Sequence, residues 1–434
     1  MSIKKLLLKN TFFNLSGYIY LLVASFFSVA LLLRNFGRDL FGVYLFLASF
    51  VSIASIFDFG VSLATIRELS LPNATLSSKI KVWQTAFAIF IGQALLLLAT
   101  FSAILLYLSV KMPLLQSIDK NILYPSIIVL VSTIFINHLN NLLLSVPQAY
   151  QRFDIYNSKT FLVGTANTIL SAFLSLYTQN IFHIYLLQMV FHFLTFIYIW
   201  WFVGKIFGSS GIVPKFNSEV GKSLYNFGLK NFVGTLAGQM EAQVSKFFLG
   251  FLSTAQSITA FSIPQNIIAK TAGVVSQFAQ AFFPLSSSLL EKDRISKLKK
   301  LYTSFQYLIF AGGLVALVVT YYFGHPFLTW WLKDEVVVQA AFPVLQVLSF
   351  YFVLVSLTPL PTALVQSLGK PQVASFFAVL SIVLEIIGLS ILVPRYSSLG
   401  AAFSFLLGAL ISIPPFLVYT TYLLNKKINE YQQL

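Results

Sequence analysis

Long apolar runs alternate along the chain with short clusters of basic and turn-forming residues. A hydrocarbon slab about 30 Å thick takes about 20 apolar residues per helix. Runs of that order number twelve: 11–33, 40–66, 84–109, 122–146, 160–178 and 181–203, then 224–250, 254–284, 302–324, 338–366, 372–393 and 398–424. This predicts an all-α polytopic membrane protein with 12 transmembrane helices. The longest segment between runs, 204–223, leaves no room for a folded soluble domain. The N-terminal "MSIKKLLLKN" is basic and then apolar like a signal peptide, but the apolar run continues past Leu33 without an A-x-A-like site. The first run is therefore expected to be a retained helix.

Two runs, 224–250 and 254–284, are more polar than the rest, and their polar residues are periodic. Positions three, four and seven apart share a helix face. In 254–284, Asn266, Lys270, Gln277 and Gln280 fall on one side; in 224–250, Thr235, Gln239, Gln243 and Lys246 do; in 40–66, Ser52, Ser55, Asp58, Ser62 and Thr65 do. Facing lipid, such stripes would leave polar groups unsatisfied. A water-lined interior face satisfies them, and so does hydrogen-bonded packing between helices. Asn137, His138, Asn140 and Asn141 in "FINHLNNLLL" admit the same two readings.

Composition agrees: 57% of the 434 residues are hydrophobic, 9% are charged, and the mean hydropathy is +0.83. The absence of cysteine excludes disulfides, thiolate metal sites and cysteine nucleophiles. The net charge of +15 would suit nucleic acid, but its distribution follows the membrane. With the N-terminus placed inside, 19 Lys and Arg fall in inner segments, six in outer ones (Arg34, Arg38, Lys111, Lys120, Lys333, Arg395), and Lys230, Lys246 and Lys270 within helices. By the positive-inside rule both termini are cytoplasmic. No nucleic-acid partner is expected.

Charges inside the runs need partners. Asp58, Glu241, Lys270 and Glu385 facing lipid would together cost roughly 10 kcal/mol. At 1.5 Å of rise per residue, Lys270 lies about 24 Å below the outer start of its helix. Lys230 and Asp58 fall at a similar inner level, Glu241 and Glu385 near the middle, and Lys246 and Arg34 near the outer edge. Lys270 could meet Asp58 or an anionic ligand. Glu385 is either a proton carrier or a carboxyl kept neutral by burial. Pro264 and Pro284 flank the Lys270 stripe, and Pro264 is placed to bend that helix.

The chain also repeats. "LKNTFFNLSG" (8–17) matches "LKNFVGTLAG" (229–238), and "QAYQRFDIYN" from Gln148 matches "QSLGKPQVAS" from Gln366, with Arg152 and Lys370 in register. Six helices per half make the repeats parallel. The expected domains are an N-terminal six-helix lobe, 1–207, and a C-terminal one, 208–434.

"LLRNFGRDLFGVYLF", "FDFGVSLATIREL", "PQAYQRFDIYN", "FFPLSSSL", "ALVQSLGKPQVAS" and "PRYSSLGAAFS" occur in this order over nearly the whole length. In these features the chain resembles the oligosaccharide flippase (Wzx-type polysaccharide biosynthesis) family of the multidrug/oligosaccharidyl-lipid/polysaccharide exporter superfamily. The resemblance implies two six-helix lobes around a central cavity lined by the first two helices of each lobe. It also implies a bacterial inner (plasma) membrane location and outward translocation of an undecaprenyl-diphosphate-linked oligosaccharide by alternating access, for O-antigen or lipopolysaccharide synthesis. Implied partners are the lipid-linked oligosaccharide, membrane lipid, a proton or sodium counter-ion, and the pathway's polymerase and chain-length proteins. No cofactor or metal is implied. Members often carry an acid in the stretch matching "QVSKFFLGFLS"; here Ser245 is followed by Lys246, and Glu241 stands one turn inward.

Arg34, Lys230, Lys246 and Lys270 are thus candidate diphosphate contacts, since a diphosphate favours charge-assisted bonds to Lys and Arg. Asn266, Gln239, Gln243 and Gln277 are candidate cavity residues, and Asp58, Glu241 and Glu385 candidate ion-coupling or charge-pairing groups. No catalytic residue is assigned: "LGKP" (368–371) is no phosphate-binding loop. An ion-coupled drug or cation exporter of the same superfamily is the first alternative, though the candidate lining has four basic residues against Asp58 and Glu241. A membrane-embedded polymerase or ligase is the second, though the longest outer segment, 110–121, is short for acceptor binding.

Overall fold

The computed structural model describes residues 3–71, 74–208, 213–290 and 295–433; side chains are described except at 3–18, 230–231, 233–235, 237–239, 242, 277–278, 280–281, 283–285, 287–288 and 431–433. Among the described residues the regular structure is entirely helical. In lipid a helix satisfies every backbone group internally, which an open sheet edge does not.

The chain divides into two compact units, Met1–Val233 and Gly234–Leu434. The first holds α1 (Ile3–Ala54), α2 (Val61–Ser70), α3 (Leu76–Lys111), α4 (Lys120–Leu143), α5 (Phe153–Thr165) and α6 (Ile181–Phe207). Next comes α7 (Ser218–Leu252), which contains the boundary. The second unit continues with α8 (Ala255–Ser288), α9 (Ile295–Leu332), α10 (Glu335–Val355), α11 (Pro359–Ser367) and α12 (Pro371–Gln433).

Among the described residues, seven helical stretches are long and apolar enough to cross a membrane. Two of them, Ile19–Asp58 and Pro371–Glu430, overlap two runs each. Gly37 (φ 72°, ψ 169°) kinks α1 between runs 11–33 and 40–66, and Ser397 (φ 52°, ψ −126°) kinks α12 between runs 372–393 and 398–424. Three runs are helical but fall outside the seven. One is 160–178, where a π turn over Ala166–Leu170 interrupts the helix and the Ser171 hydroxyl donates to the Ala166 carbonyl at 2.6 Å. The others are 224–250 and 254–284, on α7 and α8, helices of 35 and 34 residues whose side chains are described only in part. The run 40–66 is not one helix. It breaks at a 3-10 turn, Ser55–Asp58, followed by two left-handed residues, Phe59 (φ 51°) and Gly60 (φ 75°).

The repeat is written in the backbone. After the short helix Ser145–Ala149, Arg152 N–H donates to the Pro147 carbonyl at 2.7 Å and Gln151 N–H to the Gln148 carbonyl at 3.1 Å. After α11, Lys370 N–H donates to Val365 at 2.8 Å and Gly369 N–H to Gln366 at 3.0 Å. Both are Schellman caps with a left-handed residue, Gln151 (φ 56°) and Gly369 (φ 73°). The two caps lie 218 residues apart, as do the helix-interior prolines Pro125 of α4 and Pro343 of α10.

The first unit extends 26 residues past the expected boundary at 207/208, because the first part of α7 packs on it. Leu224 is buried in a core with Val61, Trp83, Phe90 and Phe207. The Gln93 amide donates to the Tyr225 hydroxyl at 3.1 Å, the Arg67 guanidinium lies 4.6 Å over the Phe227 ring, and Phe59 packs on Phe232 at 5.3 Å. Gly228 permits this approach: a Cβ on Gly60 would fall 2.4 Å from the Gly228 oxygen. Separations of that kind are set by contact, not by hydropathy.

Candidate functional site

The second unit gathers two of the charges that the sequence marks as costly. Glu241, half-buried on α7, accepts a hydrogen bond from the Tyr351 hydroxyl of α10 at 2.6 Å. Glu385 of α12 is 1% exposed, its Oε1 has no hydrogen-bond partner among the described residues, and it lies within electrostatic reach of Glu241 and Tyr351. Phe405 closes edge-on against Tyr351 at 5.4 Å, and Phe261 of α8 packs on Phe405 at 5.5 Å. Four helices thus enclose two carboxyls and a phenol in an aromatic wall.

Tyr351 is the residue that sequence reasoning missed. In "LSFYFVLV" it is one aromatic among many, and nothing in its spacing separates it from core.

The other candidates of the second unit lie on α7 and α8. Lys246 donates to Gln243 Oε1 at 3.1 Å, one turn apart on α7, and both are half-buried. Asn266 and Lys270, four residues apart on α8, are also half-buried. Buried hydroxyls of Ser245 and Ser262 have no partner among the described residues. The side chains of Gln239 and Gln277, like those of Thr235 and Gln280 from the same stripes, lie outside the described residues.

The first unit holds the remaining candidates separately. Arg34 is exposed on α1, three residues before the Gly37 kink. Asp58 ends the 3-10 turn, and its Oδ1 accepts from Ser62 N–H at 2.9 Å. That bond satisfies one of the orphan donors in the first turn of α2, so Asp58 has a capping function visible in the geometry. The Lys230 side chain lies outside the described residues. His138 and Asn140 of "FINHLNNLLL" make interhelical bonds: His138 Nε2 lies 3.1 Å from Gln93 Oε1, and Asn140 donates to the His192 carbonyl at 2.9 Å. Among the described residues no group of three or more His, Cys, Asp or Glu is arranged to hold a metal ion.

Apolar helices long enough to span a bilayer, with carboxyls and lysines among them, define a multi-pass membrane protein. Solved structures agree on the fold. The chain superposes on the lipid II flippase MurJ in its inward closed conformation with a TM-score of 0.75 at 14% identity, covering 97% of this chain and 90% of that one. It superposes on an inward-facing multidrug resistance MATE family transporter of the MOP superfamily with a TM-score of 0.70 at 14% identity, covering 96% of each. In sequence it is 22% identical over 402 residues to a Shigella flexneri protein named "Putative O-antigen transporter", covering 92% of this chain and 94% of the relative. Residues 7–290 match the family described as polysaccharide biosynthesis protein, and the chain belongs to that family.

Proposed function

We propose that the protein is a flippase that carries a lipid-linked oligosaccharide from the inner to the outer leaflet by alternating access, in the synthesis of a cell-surface polysaccharide. The observation that carries this reading is the near end-to-end match to a relative named as an O-antigen transporter, within a polysaccharide biosynthesis family. The polarity of α7 and α8 supports it. They have the length of membrane spans, and each carries polar residues at helical spacing. A sugar crossing a membrane needs such faces, while its polyprenyl tail stays in lipid. The diphosphate is the constant, doubly anionic part of the substrate. Lys270 and Lys230 at the inner level and Lys246 and Arg34 at the outer one are its contacts in this reading, with Asn266, Gln239, Gln243 and Gln277 toward the sugar.

The Glu241–Tyr351–Glu385 cluster is assigned to the driving force, as the place where a proton or sodium ion exchanges. That acidic cluster equally suits a cation or drug exporter, so the test must separate the two. Expression in a bacterium lacking its own flippase should restore surface glycan with the wild type and with Lys270→Arg. Lys270→Ala should restore less than a tenth, the loss expected from removing about 1.5–3 kcal/mol of charge-assisted hydrogen bonding. Full glycan with Lys270→Ala at equal protein level removes the role given to that lysine. Drug resistance conferred without glycan rescue replaces the flippase reading with the exporter.

A further inference from the structure

At one end of the first unit, three lysines from three separate segments meet around an aromatic stack. Trp83 of α3 is fully buried and stacks on Phe207, the last residue of α6, at 5.7 Å and 16°. Lys81 lies two residues before that tryptophan and Lys205 two before that phenylalanine. The third, Lys215, belongs to the segment entering α7. The buried Thr85 hydroxyl fixes it there, donating to the Lys81 carbonyl at 2.8 Å and to the Lys215 carbonyl at 3.4 Å. The stack and the threonine therefore hold all three backbones together, and all three side chains are exposed.

The face of α6 tells what lies outside. Val190, Leu194, Ile197 and Trp201 are exposed at steps of three to four residues, at 41%, 52%, 49% and 58%, and the same step next reaches Lys205. Its ammonium sits 3.5 Å from the centre of the Trp201 ring. An apolar stripe ending in tryptophan and then lysine follows the order hydrocarbon, interface, headgroup. Lys205 thus stands at headgroup depth, on a surface turned to lipid.

The nearby acids are committed elsewhere. Asp154 is bound by Arg152 through two bonds of 2.9 and 2.7 Å, and hydrogen bonding from that guanidinium holds its carboxyl below the usual carboxylate range. Glu68 pairs with Arg67 at 3.3 Å. Glu219 lies in the first turn of α7, where a carboxylate suits the helix dipole. None of Lys81, Lys205 and Lys215 has a carboxylate within 4 Å among the described residues.

We propose that Lys81, Lys205 and Lys215, held around the Trp83–Phe207 stack, form a binding site for the headgroup of an anionic phospholipid. Basic pockets between membrane helices on the cytoplasmic side are suited to such headgroups, and the charge distribution places this rim on that side. The occupant is a resident bilayer lipid, so the site stands apart from the transport path and holds whatever the cargo is.

The test uses the full-length protein in neutral detergent, titrated with short-chain phosphatidylglycerol, with bound lipid counted by native mass spectrometry. Each Lys→Gln change should weaken binding about fivefold and the triple change about a hundredfold. The triple Lys→Arg variant should bind like the wild type, and phosphatidylcholine should not compete. A control triple at Lys297, Lys299 and Lys300, exposed lysines of the second unit, should leave binding within about twofold. If that control loses as much as the site triple, general surface charge replaces the site. If soluble inorganic diphosphate displaces the lipid at equal concentration, the rim is a phosphate site and the lipid assignment falls.

Discussion

Glu385 is the residue whose chemistry is most constrained by its surroundings. It is buried, one oxygen has no partner among the described residues, and a second carboxyl lies within electrostatic reach. Glutamine at this position keeps the shape and cannot exchange a proton. Glu385→Gln should therefore fold normally, with a melting temperature within about 4 °C of wild type, while transport in vesicles loses its dependence on the pH gradient. A pH response identical to wild type would remove Glu385 from coupling. At this scale the sequence disclosed the charges and hid their organisation. Glu241 and Glu385 stand out as costly groups in apolar runs, 144 residues apart. Tyr351, which supplies the hydrogen bond to Glu241, carries no such mark, because a tyrosine costs a membrane helix little. Asp58 was equally visible as a charge, but its bond to Ser62 N–H depends on a helix break that hydropathy does not register.

Among the elements, the paired caps give a prediction with a built-in contrast. Gln151 and Gly369 occupy the same left-handed position of the same hydrogen-bonded turn. A side chain in that conformation costs about 1 kcal/mol, partly offset by the greater backbone freedom that glycine loses on folding. Gln151→Gly should raise stability by about 0.5 kcal/mol and Gly369→Gln should lower it by a similar amount, measured by thermal unfolding in detergent. Equal signs for the two changes would mean that the caps are not equivalent. The repeat was legible here from Gln148 and Gln366 with a basic residue four positions on. The twelve runs lie for the most part on helix, with 40–66 and 338–366 each broken by a turn. The breaks were less legible. The π turn at Ala166–Leu170 and the left-handed pair Phe59–Gly60 leave the hydropathy profile unchanged, and the second accommodates a neighbouring backbone at Gly228.

For the whole molecule, the first question is which face is which. The absence of cysteine makes a single introduced thiol the sole label on the chain. In intact cells, an impermeant maleimide should react with Lys111→Cys and Arg395→Cys. With Lys297→Cys and Lys426→Cys it should react only after permeabilisation. The reverse pattern would invert the orientation drawn from the basic residues. The caps also carry a historical meaning. At their equivalent positions the two halves have Pro147 and Val365, Gln151 and Gly369, Arg152 and Lys370, so most identities have drifted while the same two carbonyls accept the same two bonds. An ancestral six-helix gene that doubled and fused would leave this signature. Because six is even, both copies would thread the membrane in the same sense, and the fusion would need no inversion.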